Sequence, residues 1–460
     1  MKTRVALTVL LLALDSVLSF GQSTSAGQSI DLPTSKQLIE EIPGHPQRLN
    51  SLPVSIAVSP DKRYVVTVNA GYGTFESQYD QSLAVLDTQT GTVSDFPDSR
   101  TEARSAKQTL YSGLAFSPDG AHVYVSMGSI TDPEGEKQGD TGNGISVYKF
   151  DAGKLSQERF IKLPLQQLDQ GHKTRLIDER DGDKAIPFPA AIAVVGQSGS
   201  EKLLVAGNLS DSVLLVDPAG GQIAKTFDLS ESDAVPGTYP IALAVAPDGN
   251  HAYVALWNAS EIAELDLSAG KVAGRLTLLK PTSSIAPGTH PCGFEFSPDG
   301  KVLYVALANR DAVAAVNIAD GEFAVKGYFD TRLPGQSYFG AEPVALAVNA
   351  TGSRLYVANM GSDAVAVIDT AKLDRKTAKQ GFVEPIGFVP TEWMPISMAF
   401  SQGKLYVATD KGRGTGPNNM PQGQTEEMKG KNQRMEHTYI ATLLHGSIEI
   451  NGWVGIPPVR

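Results

Sequence analysis

Cysteine is almost missing from this chain, which has one, Cys292, among 460 residues. No intramolecular disulfide can form, so the fold relies on packing, and we expect a buried, inert thiol. Basic residues are outnumbered, 39 Lys and Arg against 50 Asp and Glu, and the net charge of −11 argues against broad nucleic-acid binding, because phosphate contacts need a basic surface. No GxSxG, HExxH or phosphate-loop pattern occurs, so no motif assigns an enzyme class.

Apolar runs are also short, and the first of them has the pattern of an export signal. Lys2 and Arg4 precede an apolar run over residues 5–14, and small residues suit a cut after Gly21. A run of this length is too short to span a membrane as a helix. We predict a signal peptide over residues 1–21, a periplasmic or extracellular location, and no membrane span.

A repeat fills most of the remaining chain: an apolar strand, a tight turn and a second strand occur seven times. The first strand alternates large and small residues, and the second is rich in β-branched and aromatic residues. A third strand follows, as in residues 364–369, and in the seventh copy we place it at residues 438–444. The seven copies begin at Ser55, Gly113, Ala191, Ala242, Gly293, Ala345 and Ser397. The pattern predicts an all-β protein, a seven-bladed β-propeller of four-stranded antiparallel sheets over residues 30–450.

The repeat resembles a known family. The run PVALAVNATGSRLYVANMGSDAVAVID at residues 343–369 is similar to the repeat of YVTN seven-bladed β-propellers, and the resemblance covers roughly residues 45–450. GDTGNGISVYKF from Gly139 and TYIATLLHGS from Thr438 look like the propeller half of bacterial proteins in which a propeller precedes an alkaline-phosphatase-like phosphoesterase domain. This chain stops at Arg460 without that half, so we expect no phosphatase activity.

The long insertions indicate where a site would lie. Turns between first and second strands, and most turns between third and fourth strands, are short. The insertions fall between second and third strands or between blades, and antiparallel order sends both connections to one rim, here called the loop-rich face. They are residues 70–81, 97–111, 128–143, 164–188, 279–290, 330–342 and 410–437.

The residue before each blade-opening proline lies on that face, near the central channel. We expect Phe188, Tyr239 and Met394 there as ligand-binding residues, together with His290 and Glu342 in adjacent blades. An imidazole and a carboxylate at one channel mouth can act as acid and base or hold a metal. Arg310, on a nearby loop, could stabilise an oxyanion. The alternative is a solvated polar funnel without chemistry.

Two further residues are candidates for ligand binding. Glu295 stands where the other six copies carry alanine, so its carboxylate either bonds a backbone amide or titrates abnormally near His290. A satisfied structural carboxylate is the favoured interpretation. His45 either joins the channel group or lies in a surface turn. The asparagines after the second strands are interpreted as left-handed turn formers: Asn69, Asn208, Asn258, Asn309 and Asn359.

No cofactor or resident metal is predicted. Acidic loops at residues 178–183 and 140–143 offer oxygen ligands for calcium, but neither completes a calcium-loop motif. Residues 410–437 are predicted to form a flexible loop within blade seven, and residues 451–460 a tail. The outer strand of blade seven comes either from residues 447–450 or from residues 30–42, which would leave no exposed edge.

Three functions remain open from the sequence. The YVTN resemblance implies a binding module that takes an unknown protein, polymer or small-molecule ligand on its loop-rich face. A lactonase-like hydrolase with a site at the channel mouth is the first alternative, because related seven-bladed lactonases use that position. A scaffold half that docks with a separate phosphoesterase domain is the second. Propellers host binding and catalysis alike, so the fold does not choose among them.

Overall fold

A computed structural model of the chain describes residues 30–31, 37–38, 42–74, 76–101, 106–176, 182–279, 288–374, 381–413, 440–442 and 444–452. Strands make up most of them, and no described helix is long or apolar enough to cross a membrane. The predictions for residues 1–21 and for most of 410–437 lie outside this part of the chain.

Seven four-stranded antiparallel sheets form the fold, which confirms the predicted propeller. The innermost strands are Pro53–Val58, Thr109–Phe116, Pro189–Val195, Pro240–Val245, Pro291–Phe296, Pro343–Val348 and Trp393–Ser401. The second strands are Tyr64–Asn69, His122–Gly128, Lys202–Gly207, His251–Leu256, Val302–Leu307, Arg354–Asn359 and Lys404–Gly412. The third strands are Gln81–Asp87, Gly144–Asp151, Ser212–Val216, Glu261–Asp266, Ala312–Asn317, Ala364–Asp369 and Ser447–Gly452. The outer strands are Val93–Asp98, Lys154–Lys162, Ile223–Asp228, Lys271–Thr277, Ala324–Asp330, Gly387–Pro390 and, in blade 7, Gln47–Arg48.

The propeller also contains short 3-10 helices and two-residue strands outside the four-stranded sheets. Single turns of 3-10 helix are Ser99–Thr101, Ala308–Arg310, Ala319–Gly321, Thr370–Asp374 and Ile440–Thr442. Two-residue strands pair as Ile30–Asp31 with Gln37–Leu38, Gln166–Gln167 with Lys184–Ala185, and Lys173–Thr174 with Ala234–Val235. The last pair joins the insertion after blade 2 to the connection between blades 3 and 4.

Packing between neighbouring blades supplies the core. Each innermost strand contacts the innermost strands of the two adjacent blades, so the ring closes around a central channel. The second strands are almost fully buried; Val254 of blade 4, for example, packs with Leu204 and Val213 of blade 3. Burying a side chain of this size contributes about 1.5–3 kcal/mol. The buried second strands of the repeat therefore contribute a large part of the core.

The repeated SPDG turn fixes the register between first and second strands. In blade 5, the Ser297 hydroxyl donates to the Asp299 carboxylate at 2.6 Å and accepts from the backbone N–H of Val302 at 2.9 Å. Gly300 follows with φ +69°, in the left-handed region that favours glycine. The same turn stands in blade 2, and the turns of the other blades are of similar length, so the first and second strands pair in a similar register around the ring.

The chain's two ends close blade 7, but the predicted strands were wrong. Its third strand is Ser447–Gly452, whereas Ile440–Thr442 within the predicted strand forms a 3-10 turn. The outer strand is Gln47–Arg48, which pairs with Ser447 and Ile448. Ile448 and Ile450 of SIEING face the blade 7–blade 1 core, so alternation decided the strand rather than total hydrophobicity. The second strand extends to Gly412, so residues 410–412 are strand and not loop.

Candidate functional site

The predicted ring of residues before the blade-opening prolines has a shared and unusual backbone. Leu52, Tyr239, His290, Glu342 and Met394 all have φ between +50° and +65°, a region that bulky residues rarely adopt. Such a conformation costs of order 1–3 kcal/mol and persists only where the surroundings enforce it. The backbone strain at these five positions therefore lowers the stability of the fold and is kept at the channel mouth.

A side chain of the preceding blade supports this conformation in four of the five blades, a carboxylate in three and a serine hydroxyl in one, an arrangement here called the rim clamp. Asp311, which is 1% exposed, accepts N–H bonds from Ala341 and Glu342 on Oδ1, at 3.0 and 3.1 Å, and from Gly340 on Oδ2 at 2.9 Å. Hydrogen bonds to a charged acceptor are worth about 1.5–3 kcal/mol each, enough to offset the backbone strain. The equivalent acceptors in other blades are Asp211 for Tyr239, Ser260 for Thr289 and Asp363 for Met394.

The asparagines do not have the predicted role. None of the five asparagines after the second strands has a left-handed φ. The residues of the rim clamp have one instead: Asp211, Ser260, Asp311 and Asp363. The asparagines donate side-chain hydrogen bonds instead; Asn309 Nδ2, for example, reaches the Gly288 carbonyl at 3.0 Å, just before His290. Sequence reasoning missed the clamp because an aspartate in a polar turn resembles a solvated residue.

A cavity of about 610 Å³ occupies the channel between this mouth and the middle of the innermost strands. His290, Glu342, Trp257 and Asn309 line its mouth. Further along the channel, every blade contributes one large apolar side chain, a set here called the apolar ring. Its members are Ile56, Leu114, Ile192, Leu243, Phe294, Leu346 and Met398. A ligand that enters from the loop-rich face would thus meet polar groups first and an apolar wall second.

His290 packs against an aromatic ring at the mouth. Its ring stacks on the indole of Trp257, with centroids 3.8 Å apart and planes 19° from parallel. Burial lowers the pKa of His290, so the imidazole is neutral at pH 7 and can accept a proton. Trp257 was not among the predicted residues. A large aromatic residue at the first position after a second strand, where other copies carry Ala70, Asn208, Ala308 and Met360, was the available signal.

Glu342 and Arg310 occupy different surroundings. Glu342 is exposed and lines the cavity in the blade next to His290, as the sequence led us to expect. Arg310 does not line the cavity. Its guanidinium lies 5.8 Å from the centre of the Phe339 ring, and its buried Nε has no hydrogen-bond partner. The structure thus brings His290 and Glu342 to one opening and turns Arg310 towards the connection between blades 5 and 6.

Glu295 lines the channel, on the strand that begins beside His290. No hydrogen bond or ion pair joins its carboxyl group to any residue that the structure describes, so the expected structural carboxylate bonded to a backbone amide is not seen. Burial raises the pKa of Glu295 to about 8, and His290 does not contribute. Five residues of extended strand separate the two, about 16 Å. The interpretation supported is therefore the other alternative, abnormal titration of Glu295, and burial is its cause.

The other predicted residues lie around the cavity rather than in it. Phe188 packs edge-on against Tyr111 at 5.1 Å, and Tyr239 and Met394 are half-buried behind the mouth. His45 is exposed beside the outermost strand of blade 7, at the periphery of the ring. Cys292 lines the channel, and burial raises the pKa of its thiol to about 12, which makes it unreactive.

The acidic loops show no calcium cage in the part of the chain that the structure describes. No group of three or more His, Cys, Asp or Glu residues suited to a metal occurs there. Asn143 is buried and bonds Ser129 and Pro133, and Asp140 accepts from the Lys107 amide. Asp178 and Asp181 lie outside the described residues.

Comparisons with known proteins agree with the architecture. The family model "Lactonase, 7-bladed beta-propeller" matches residues 200–328, a span that contains His290, Glu295 and Arg310. Antigen Lp49 of Leptospira interrogans is 22% identical over 213 residues, 44% of this chain and 37% of the antigen, so the match spans little more than a third of that relative.

Solved propellers share the fold at low identity. Virginiamycin B lyase from Staphylococcus aureus superposes with a TM-score of 0.53 at 13% identity, over 88% of this chain and 98% of the lyase. A candidate 6-phosphogluconolactonase from Bacteroides fragilis gives 0.50 at 16% identity, over 75% and 86% of the two chains. The chain is thus a seven-bladed β-propeller whose residues 200–328 match the lactonase family of such propellers.

Proposed function

We propose that this protein binds a small molecule in its central channel, and that the ligand enters from the loop-rich face. The observation that carries this proposal is the combination of a 610 Å³ cavity and a clamped, left-handed mouth. Pockets for small ligands typically measure about 300–1,000 Å³ and combine apolar walls with few polar groups. The apolar ring supplies the wall, and the rim clamp holds the polar groups before any ligand arrives.

Filling the channel tests this proposal. Ala242 lines the cavity on the innermost strand of blade 4, and Ala269 is exposed in a turn on the opposite rim of the same blade. Calorimetry with phenylbutanol, a neutral probe with an apolar body, should show binding to the wild type and to Ala269→Leu. Ala242→Leu should weaken it about tenfold or more because the added side chain occupies probe space. Equal binding by all three proteins would contradict a channel site.

Hydrolysis of a lactone is a second candidate, favoured by the neutral His290 imidazole at the mouth and by the match of residues 200–328 to the lactonase family. In this reaction His290 would take a proton from water as the oxygen attacks the lactone carbonyl carbon. The ring C–O bond then breaks, and the leaving oxygen takes up a proton to give a hydroxy acid. Glu342, exposed at the same opening, would orient the imidazolium or the water.

A lactone panel with matched histidine variants tests the hydrolase. His251 makes an ion pair with Asp248 on the opposite rim, so His251→Ala serves as the control for His290→Ala. We expect acid release by the wild type and by His251→Ala, and a loss of about 100-fold or more in His290→Ala, the contribution typical of a general base. Turnover that survives in His290→Ala would assign hydrolysis elsewhere.

Export completes the proposal. The charged and apolar pattern of residues 1–21 supports secretion, and mass spectrometry of protein expressed with its full N-terminus in a bacterial host is the direct check. We expect a mature chain that begins after Gly21 in the periplasmic fraction. An uncut chain in the cytoplasm would contradict it.

A further inference from the structure

We propose that the channel recognises organic cations: the ammonium group of an amine ligand pairs with the Glu295 carboxylate, and its apolar body lies against the apolar ring. This inference rests on the proposed binding function and names the class of ligand. It concerns a subsite about 16 Å along the strand from His290.

An unpaired carboxyl group inside a channel calls for a functional reason. Six blades carry alanine at the equivalent position: Ala57, Ala115, Ala193, Ala244, Ala347 and Ala399. Alanine therefore satisfies the packing of the ring, and Glu295 adds a polar group that finds no partner among the described residues. A half-buried carboxyl group without a protein hydrogen bond is less favourable there than in water. A ligand that supplies the missing partner would relieve this penalty on binding.

The charges along the channel favour a cation over an anion. Glu295 and Glu342 line the cavity, and of the described residues that line it none is Lys or Arg. Burial lowers the pKa of His290, so the imidazole adds no positive charge at pH 7. A phosphorylated or carboxylate ligand would meet the Glu342 carboxylate and no cationic side chain among the described lining residues. This lining selects against sugar phosphates, although a candidate 6-phosphogluconolactonase has the same fold.

Aromatic and apolar side chains along the channel suit an amine with an apolar body. Phe294 of the apolar ring directly precedes Glu295, and Trp257 stands at the mouth. Aromatic faces attract cations, and desolvated sites strengthen that attraction. The apolar ring adds hydrophobic contact for the rest of the molecule. A simple hydrated metal ion would gain nothing from these walls.

Pairing of an ammonium ion with Glu295 would release a proton, and this release can be measured. Burial holds the pKa of Glu295 at about 8, so the carboxyl is protonated at pH 6.5, and an arriving ammonium ion would release that proton to solvent. The surrounding strands bring few other titratable groups. Tyr304 lies opposite Glu295 on the second strand, Tyr253 of blade 4 bonds Glu264, and the neighbouring innermost strands Pro240–Val245 and Pro343–Val348 contribute none.

Three probes of equal size separate the effect of charge from that of shape: phenylbutylamine, phenylbutanol and phenylbutyrate, which are cationic, neutral and anionic at pH 7. Calorimetry would compare wild type, Glu295→Gln, and Glu136→Gln as a control on an exposed loop of the same face. We expect the wild type and the control to bind the amine about tenfold or more tightly than the alcohol, and phenylbutyrate weakest. Glu295→Gln should remove the preference for the amine while it binds the alcohol as before.

The outcomes separate this inference from the function on which it rests. Equal affinity for amine and alcohol in the wild type, or a preference that persists in Glu295→Gln, would overturn cation recognition while leaving channel binding intact. Absence of binding by all three probes would overturn both. At pH 6.5, titration in two buffers of different ionisation enthalpy should show release of about one proton with the wild type and none with Glu295→Gln. Binding without proton release would contradict pairing at Glu295.

Discussion

Replacing Glu295 by glutamine should make the protein more stable, and increasingly so as the pH rises. In the folded protein, burial raises the pKa of this carboxyl to about 8, whereas the unfolded chain has its ordinary value of 4.5. The stability associated with the protonated group is therefore fully present below pH 4.5 and is lost as the pH rises to 8. Glutamine is close in shape and does not ionise, so Glu295→Gln removes this loss.

The size of the effect follows from the two pKa values. Each pH unit between them lowers the free energy of unfolding by about 1.4 kcal/mol. Because Glu295 lines a channel that water can enter, part of this loss is recovered by hydration of the carboxylate. We expect the variant to gain about 2–4 kcal/mol over the wild type between pH 5 and pH 8.

Urea titrations at pH 5, 6, 7 and 8, followed by circular dichroism, measure this difference. Other groups with shifted pKa values, such as Asp410, titrate in both proteins and cancel in the comparison. Glu136→Gln should follow the wild type at every pH because its carboxylate is exposed. A difference between Glu295→Gln and wild type that stays constant from pH 5 to pH 8 would refute the assignment of an uncompensated, buried carboxyl group.

Three further predictions concern the mouth and the closure of the ring. Trp257→Ala should raise the pKa of His290 towards its ordinary value, because the stacked indole contributes to its burial; an NMR titration that shows no change would contradict this. Asp311→Ala should cost about 3 kcal/mol or more of stability, since three backbone N–H groups lose their acceptor, and Asp311→Asn should cost less. Arg48→Ala should lower stability by only about 1 kcal/mol, because Arg48 is 40% exposed, but should speed amide exchange in Ser447–Gly452; unchanged exchange would refute a role in closure.

The fold could be predicted from sequence because each blade repeats one local rule. Alternation along the innermost strand and a short turn after it recur in every blade, so an error in one unit does not spread to the next. Blade 7 was the exception. Its third strand contains Glu449, a buried carboxylate that accepts a hydrogen bond from the backbone N–H of Glu392. The more apolar segment upstream forms no strand in its described part. Alternation placed Ile448 and Ile450 on the core side, and pairing with Gln47–Arg48 completed the blade.

The site was only partly predictable for a different reason. Placing His290 and Glu342 at the mouth needed strand order alone. The direction of Arg310 depends on Phe339, a residue in another loop, and the stacking of Trp257 on His290 joins two adjacent blades. The rim clamp likewise joins Asp311 to an amide about 30 residues later. Contacts between separate connections are set by tertiary packing, which no local pattern encodes.

A crystal structure of the protein with phenylbutylamine tests the central claim most directly. The account predicts the probe in the channel, with its ammonium nitrogen within about 3 Å of a Glu295 carboxylate oxygen and its phenyl ring between the apolar ring and Trp257. A probe found only outside the channel, or one bound there with its nitrogen directed to the mouth and away from Glu295, would contradict it.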